Sequence, residues 1–158
     1  MSDTLTIDQI PAEFRKMRMA GQVGMIAHNG PLYGRLDEDG LTMGILIDER
    51  HLNPRGICHG GMLMTLADMV LGVGSIAHTK EWEFVPTVNM TCDFVKAVPQ
   101  GAWLTGKATV IRKTKSMLFS SCLIMHGEDI VMRSSGIMKR TGNFRDADLE
   151  RMFEPEGS

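Results

Sequence analysis

From Gly60 to Ala77 apolar residues run almost unbroken, and the only formally charged side chain among them is Asp68. The run is too long for a strand and predicts a helix over 60–77, apolar nearly all round and therefore buried. A membrane span is the competing assignment, but the mid-run acid, the glycines and the lack of a second such segment favour a core helix. Upstream, Leu41-Thr42-Met43-Gly44-Ile45-Leu46-Ile47 alternates, and with Asp39-Gly40 before it predicts a hairpin over 32–47. Between residues 11 and 28, Phe14, Met17, Val23 and Met25 recur among charged residues at loosely helical spacing. Pro11 suits a first turn, so a helix is predicted there, with Gly21 and Gly24 as points of interruption.

Beyond Trp82 the pattern is strand-like. Segments 87–98, 102–113, 117–126 and 130–138 are separated by Pro99-Gln100-Gly101, Thr114-Lys115-Ser116 and Gly127-Glu128-Asp129, each a turn sequence. Consecutive strands on short turns pair antiparallel, and a helix apolar on nearly every side must be covered by their sheet. The predicted class is α+β, one antiparallel sheet wrapped around one long central helix. The predicted organisation is an N-terminal helical segment packed on the domain over 1–30, the domain itself over 31–141, and a charged tail over 142–158.

At 158 residues the chain is the size of one domain with a substantial core. Its 17 basic and 19 acidic residues are dispersed and leave a net charge of −2, which excludes a field that would gather nucleic acid or anionic lipid unaided. Cys58, Cys92 and Cys122 are odd in number and far apart, which speaks against a disulfide framework and for a reducing cytoplasm. The first residues lack the basic and apolar regions of a secretion signal.

The acid at position 68 is the first chemical clue. At 100° per residue, Gly61, Thr65, Asp68 and Gly72 fall within about 60° of one another, so one narrow helix face is small or polar. An aspartate there pairs with an arginine, faces solvent, or does chemistry, since an unpaired buried carboxylate is costly. Gly60-Gly61 stands where the helix begins, with free backbone N–H groups suited to an oxyanion. Asn53 either shapes the Pro54-Gly56 turn or offers its amide to the same oxygen, and His59 orients the loop, contacts a leaving group or serves acid–base catalysis.

Together, Asn53-x-x-Gly56-x-x-His59-Gly60-Gly61 and Thr65-Leu66-Ala67-Asp68 resemble the signature of hotdog-fold thioesterases of the phenylacetate-pathway, PaaI-like group. The resemblance implies a hotdog fold, homodimers commonly assembled into homotetramers, and hydrolysis of an acyl-coenzyme A. No cofactor is implied beyond the coenzyme A carried by the substrate. It further implies an active site across the dimer interface, with Gly60 N–H and the Asn53 amide polarising the carbonyl and Asp68 as general base or nucleophile. Thr87 falls where some members orient the water. Gly61 is implied as a substrate contact, and Arg112, Lys113 and Lys115, in the densest basic cluster, lie near the coenzyme's phosphates by the same resemblance or form a solvated turn.

Rival assignments carry less. Cys58 beside His59 suggests a thiol nucleophile, but sequence neighbours seldom face each other as such a pair must. His51, Cys58, His59 and His78 have no recognised metal-ligand spacing. An acyl-CoA-binding module without catalysis keeps the fold but leaves the base in the helix unexplained, and a hydratase fits the residues less well. The methionines of the helix line an acyl pocket or simply fill the core.

Overall fold

The computed structural model describes residues 9–18, 24–143 and 148–155, together with the backbone of 145–146. A 20-residue helix, α2 (Gly60–Thr79), runs under one antiparallel sheet. His59 caps its start by accepting the Gly61 N–H at Nδ1, and Lys80 ends it in the left-handed region at φ 57°. It buries Leu63, Leu66, Val70 and Leu71 against the sheet, each such large apolar side chain contributing roughly 1.5–3 kcal/mol. The helix can approach this closely because small residues meet it. A methyl group at Gly74 would stand 2.9 Å from the Ala108 Cβ, and one at Gly106 would stand 3.0 Å from Val70. Though α2 is long and apolar enough for a membrane span, 56% of its most apolar window is buried inside the protein. The Ser75 and Ser120 hydroxyls, both buried, satisfy each other at 2.6 Å.

The sheet strands are β1 (Arg15–Lys16), β2 (Tyr33–Asp37), β3 (Gly40–Leu46), β5 (Thr87–Phe94), β6 (Trp103–Lys113), β7 (Met117–His126) and β8 (Asp129–Lys139). Their order is β1-β2-β3-β6-β7-β8-β5, all antiparallel. A short strand β4 (Glu81–Trp82) pairs with β9 (Arg145–Asp146) outside it. The long helix, the hairpin at Asp39-Gly40 and the wrapped sheet are as the pattern predicts.

Two expectations fail. The four final strands do not pair in succession: β5 crosses to the far edge beside β8, while β6 returns beside β3. The Pro99-Gln100-Gly101 turn does not close a β5–β6 hairpin. It is stitched to the segments flanking the helix, by Gly101 N–H to Ile47 O, Ile47 N–H to Ala102 O and Cys58 N–H to Val98 O. Strand β5 accordingly stops at Phe94, short of position 98.

The predicted helix over 11–28 is also corrected. Residues 11–14 form a turn, Arg15 and Lys16 pair with Gly34 and Tyr33, and only α1 (Met25–Asn29) is helical; residues 19–23 lie outside the described positions. Phe14 and Met17, three apart, mimic a helical repeat. Phe14 instead packs edge-on against Trp103, with centroids 5.2 Å apart, while Met17 enters the core and bridges to Phe153. Residues 148–155 likewise pack: Leu149–Met152 make a 3-10 turn, and Met152 and Phe153 are buried.

Candidate active site

Three sides of α2 face the sheet, and the fourth does not. Gly61, Thr65, Asp68, Met69, Gly72 and Val73 are only half-buried, while their helical neighbours Leu66, Ala67, Val70 and Leu71 are buried. Asp68 is therefore not sunk in the core as the apolar run suggested. Its Oδ1 accepts the Thr87 hydroxyl at 2.6 Å, no cation pairs with it among the described residues, and its Oδ2 is left for another donor. Thr87 opens β5, so the sheet edge delivers this hydroxyl to the middle of the helix.

The loop before the helix is fixed from both sides. Asn53 Oδ1 accepts the N–H groups of Arg55 at 2.9 Å and Ile57 at 3.4 Å. Asn53 N–H reaches Ile57 O at 2.8 Å and Gly56 N–H reaches Asn53 O at 2.9 Å, closing a turn in which Gly56 takes φ +75°. The two roles considered for Asn53 are thus compatible: its oxygen makes the turn, which points the Nδ2 donor away from it. His59 N–H bonds to His51 O, and the buried His51 ring donates through Nε2 to Asn29 O while Nδ1 accepts the Asp48 N–H.

In the first turn of α2, His59 Nδ1 takes the Gly61 N–H at 2.8 Å, and His59 O takes those of Met62 and Leu63. The Gly60 N–H has no partner among the described residues, so it is the free donor and Gly61 is not. His59 is engaged as the cap. The Phe94 ring covers Gly60, near enough that a Cβ there would meet it at 3.2 Å. Phe94 was missed in the sequence, where an aromatic ending a strand reads as ordinary; its 54% exposure marks it here.

Burial pushes the Cys58 thiol up to about 11, and its Sγ faces the His59 carbonyl, not the imidazole, so the thiol-nucleophile assignment fails. Among the described residues no three His, Cys, Asp or Glu side chains cluster as metal ligands would. The basic turn lies elsewhere. Lys113 pairs with Glu81 at 2.9 Å, beside the C-terminal end of α2, while Arg112 and Lys115 are exposed and have no ion-pair partner among the described residues. That end is roughly 30 Å from Gly60 along the helix.

A cleft of ≈ 460 Å³ opens at Asp68 and Thr87 and runs along the uncovered helix face. Sequence reasoning did not foresee its walls, because Met17, Met25 and Met152 come from segments assigned to a packed helix and a tail.

The family model for the thioesterase superfamily matches residues 55–132. A Pseudomonas aeruginosa protein provisionally named an esterase (PA0474) is 34% identical over 109 residues, covering 68% of this chain and 81% of that one. Among solved structures, a hypothetical thioesterase protein from Streptococcus pneumoniae, determined with coenzyme A, aligns at TM-score 0.63 and 20% identity over 70% of this chain and 89% of that one. The phenylacetic acid degradation protein PaaI of Thermus thermophilus, solved in a mutant form, aligns at TM-score 0.64 and 18% identity over 73% and 96%. At these identities the two structures establish the shared fold.

Proposed function

The chain belongs to the thioesterase superfamily, and from that premise we propose that this thioester hydrolase acts on acyl-coenzyme A in a site completed by a second copy of itself. The observation carrying the proposal is the placement of two groups on one edge strand. Thr87, at the start of β5, holds Asp68, and Phe94, at its end, packs beside Gly60, whose N–H is free among the described residues. Gly60 and Asp68 are eight residues apart, roughly 12 Å of helix, too far to serve one carbonyl from the same chain. Strand β5 is also the longer of the sheet's two edges among the described residues, with Val88 and Phe94 exposed on it. Antiparallel pairing of β5 with its own copy exchanges the strand's ends, carrying Asp68 and Thr87 toward the partner's Gly60 and the partner's Asn53.

In that arrangement the thioester oxygen accepts from the Gly60 N–H and Asn53 Nδ2. A water donates one hydrogen to Asp68 Oδ2 and the other to Thr87 Oγ1, which leaves its lone pair aimed at the carbonyl carbon. Attack moves a proton to Asp68 and puts charge on the oxygen between the two donors. Collapse breaks the C–S bond, and the proton held by Asp68 passes to the leaving thiolate. These steps draw on water and this chain's groups alone, with coenzyme A entering as part of the substrate. Support for Asp68 as base comes from the Thr87 bond, which occupies one oxygen and leaves the other for water. Arg112 and Lys115 are the proposed contacts for the coenzyme's phosphates, reaching the coenzyme from a neighbouring subunit because in their own chain they lie at the far end of α2; Lys113 is held by Glu81 and contributes less.

The test is release of free thiol from a panel of acyl-CoAs by the wild type and by Asp68→Asn. Loss of a general base lowers kcat roughly 10²–10⁴-fold. An unchanged kcat in the variant removes Asp68 from the reaction.

A further inference from the structure

From Asp68 the uncovered face of α2 continues through Met69, Gly72, Val73 and Ile76, and this strip floors the ≈ 460 Å³ cleft. Trp82, Phe84 and Val85 form one bank, and Met17, Met25 and Ile26 form the other. Met152 joins the second bank, because Arg18 N–H bonds to Met152 O and lays the two segments side by side. We propose that this cleft is the acyl-binding pocket, that it takes apolar acyl groups of medium length, and that Gly72 sets its depth. The proposal rests on the acyl-CoA thioesterase function given to Asp68 above.

The lining chemistry selects the class of acyl group. Glu83 borders the cleft, but its carboxylate oxygens are turned to Arg140, Thr141 and Gly142. Arg18 is exposed at the rim, and Asp68 and Thr87 bond each other at the mouth. The remaining described side chains along the cleft are apolar, so a hydroxyl or carboxylate on the acyl chain would lose its water without finding a partner.

Length follows from the floor. Asp68 to Ile76 spans eight residues, roughly 12 Å of helix rise. An extended chain advances roughly 1.2 Å per bond, judged from backbone dimensions, which gives about ten bonds.

Gly72 has no packing reason to be glycine. A methyl group at Gly74 would strike Ala108 at 2.9 Å, whereas one at Gly72 meets only Val85 Cγ2, at 3.9 Å. Glycine within a helix is less favourable than alanine, so space kept open above this position accounts for its presence. A larger side chain there would project into the cleft.

The experiment measures kcat/KM for straight-chain acyl-CoAs from acetyl to palmitoyl, with a dicarboxylic acyl-CoA of medium length as control. The variants are Gly72→Ala, Gly72→Leu and Trp82→Ala, each checked by thermal unfolding. In the wild type kcat/KM rises about fourfold per methylene, the gain expected for burying each one, until the pocket fills, and then falls. Gly72→Leu lowers the ratio of medium- to short-chain kcat/KM at least tenfold, Gly72→Ala lowers it less, and Trp82→Ala moves the optimum to longer chains. Chain-length-independent turnover by the wild type, preference for the dicarboxylic substrate, or an unmoved ratio in the folded variants overturns the pocket while leaving the thioesterase function standing. Failure of the wild type to cleave any acyl-CoA overturns that function and the pocket with it.

Discussion

Arg140→Met tests the energetics of the bank that carries Trp82 and Phe84. Glu83, between those two aromatics, is 5% exposed. It accepts Arg140 Nε at 2.7 Å on one oxygen, and Thr141 N–H at 2.9 Å and Gly142 N–H at 3.2 Å on the other. Arg140 also donates to Glu81 at 2.7 Å and to Thr114 O at 3.0 Å, tying β4, β8 and the β6–β7 turn together. Burial alone would raise the Glu83 carboxyl, but Arg140 and the two backbone donors outweigh it and hold the group below the usual glutamate range.

Methionine in place of Arg140 keeps the stem and deletes the charge, leaving a buried carboxylate with the Thr141 and Gly142 N–H groups and the Thr141 hydroxyl as donors. Breaking a buried pair in this way costs about 3–5 kcal/mol, and the surviving N–H bonds put the expected value near 3. For a domain of this size that lowers Tm by about 6–12 °C.

The pH dependence gives the sharper test. In the wild type the folded carboxyl lies below its unfolded value, so the stabilisation is complete above that value and is lost as pH falls through the folded one. In the variant, burial without the guanidinium raises the folded carboxyl, and protonation relieves the strain. The difference in unfolding free energy between the two proteins, measured by urea denaturation, should be largest near neutrality and narrow below about pH 5. A difference under about 1 kcal/mol, or one that stays constant from neutral to acid pH, refutes the account of this cluster.

Two further outcomes are expected. Thr87→Val removes a hydrogen bond to a charged group, worth about 1.5–3 kcal/mol, and should lower kcat by about 10- to 150-fold with little change in KM. Thr87→Ser should restore most of the rate, and a Val variant within twofold of wild type would show that the hydroxyl is idle. Co-refolding Asp68→Asn with Asn53→Ala should regain about a quarter of wild-type activity, because half of randomly paired dimers are mixed and each mixed dimer holds one intact site of two. No recovery in mixtures shown to contain mixed dimers would place both residues in a site within one chain.

The sequence made the central helix, the Asp39-Gly40 hairpin and the Asn53-to-Asp68 motif legible, because each is local: a long apolar run, a turn pair, a fixed spacing. What stayed hidden was set by pairing at a distance. Strand β5 has the turn chemistry of a hairpin partner for β6, yet Pro99-Gln100-Gly101 bonds to Ile47 and positions β5 at the far edge. Phe14 and Met17 repeat at a spacing that helix and irregular strand share, and contact with Trp103 and Phe153 decides the matter. The 60° arc through Gly61, Thr65, Asp68 and Gly72 was legible, but sequence alone left open whether it meets an arginine, solvent or a ligand, and it is the face the sheet leaves open.

Met17 and Phe153 bridge each other, Arg18 is bonded to Met152, and Glu154 N–H reaches Lys16 O, so two stretches remote in sequence form a single seam beside the cleft. That seam shares no residue with the loop and helix that carry the proposed reacting groups. With the pocket as proposed, selectivity can drift by substitutions at positions 15–18 and 152–154 while the proposed hydrolytic motif stands unaltered. Two relatives with matching motifs need not consume the same metabolite.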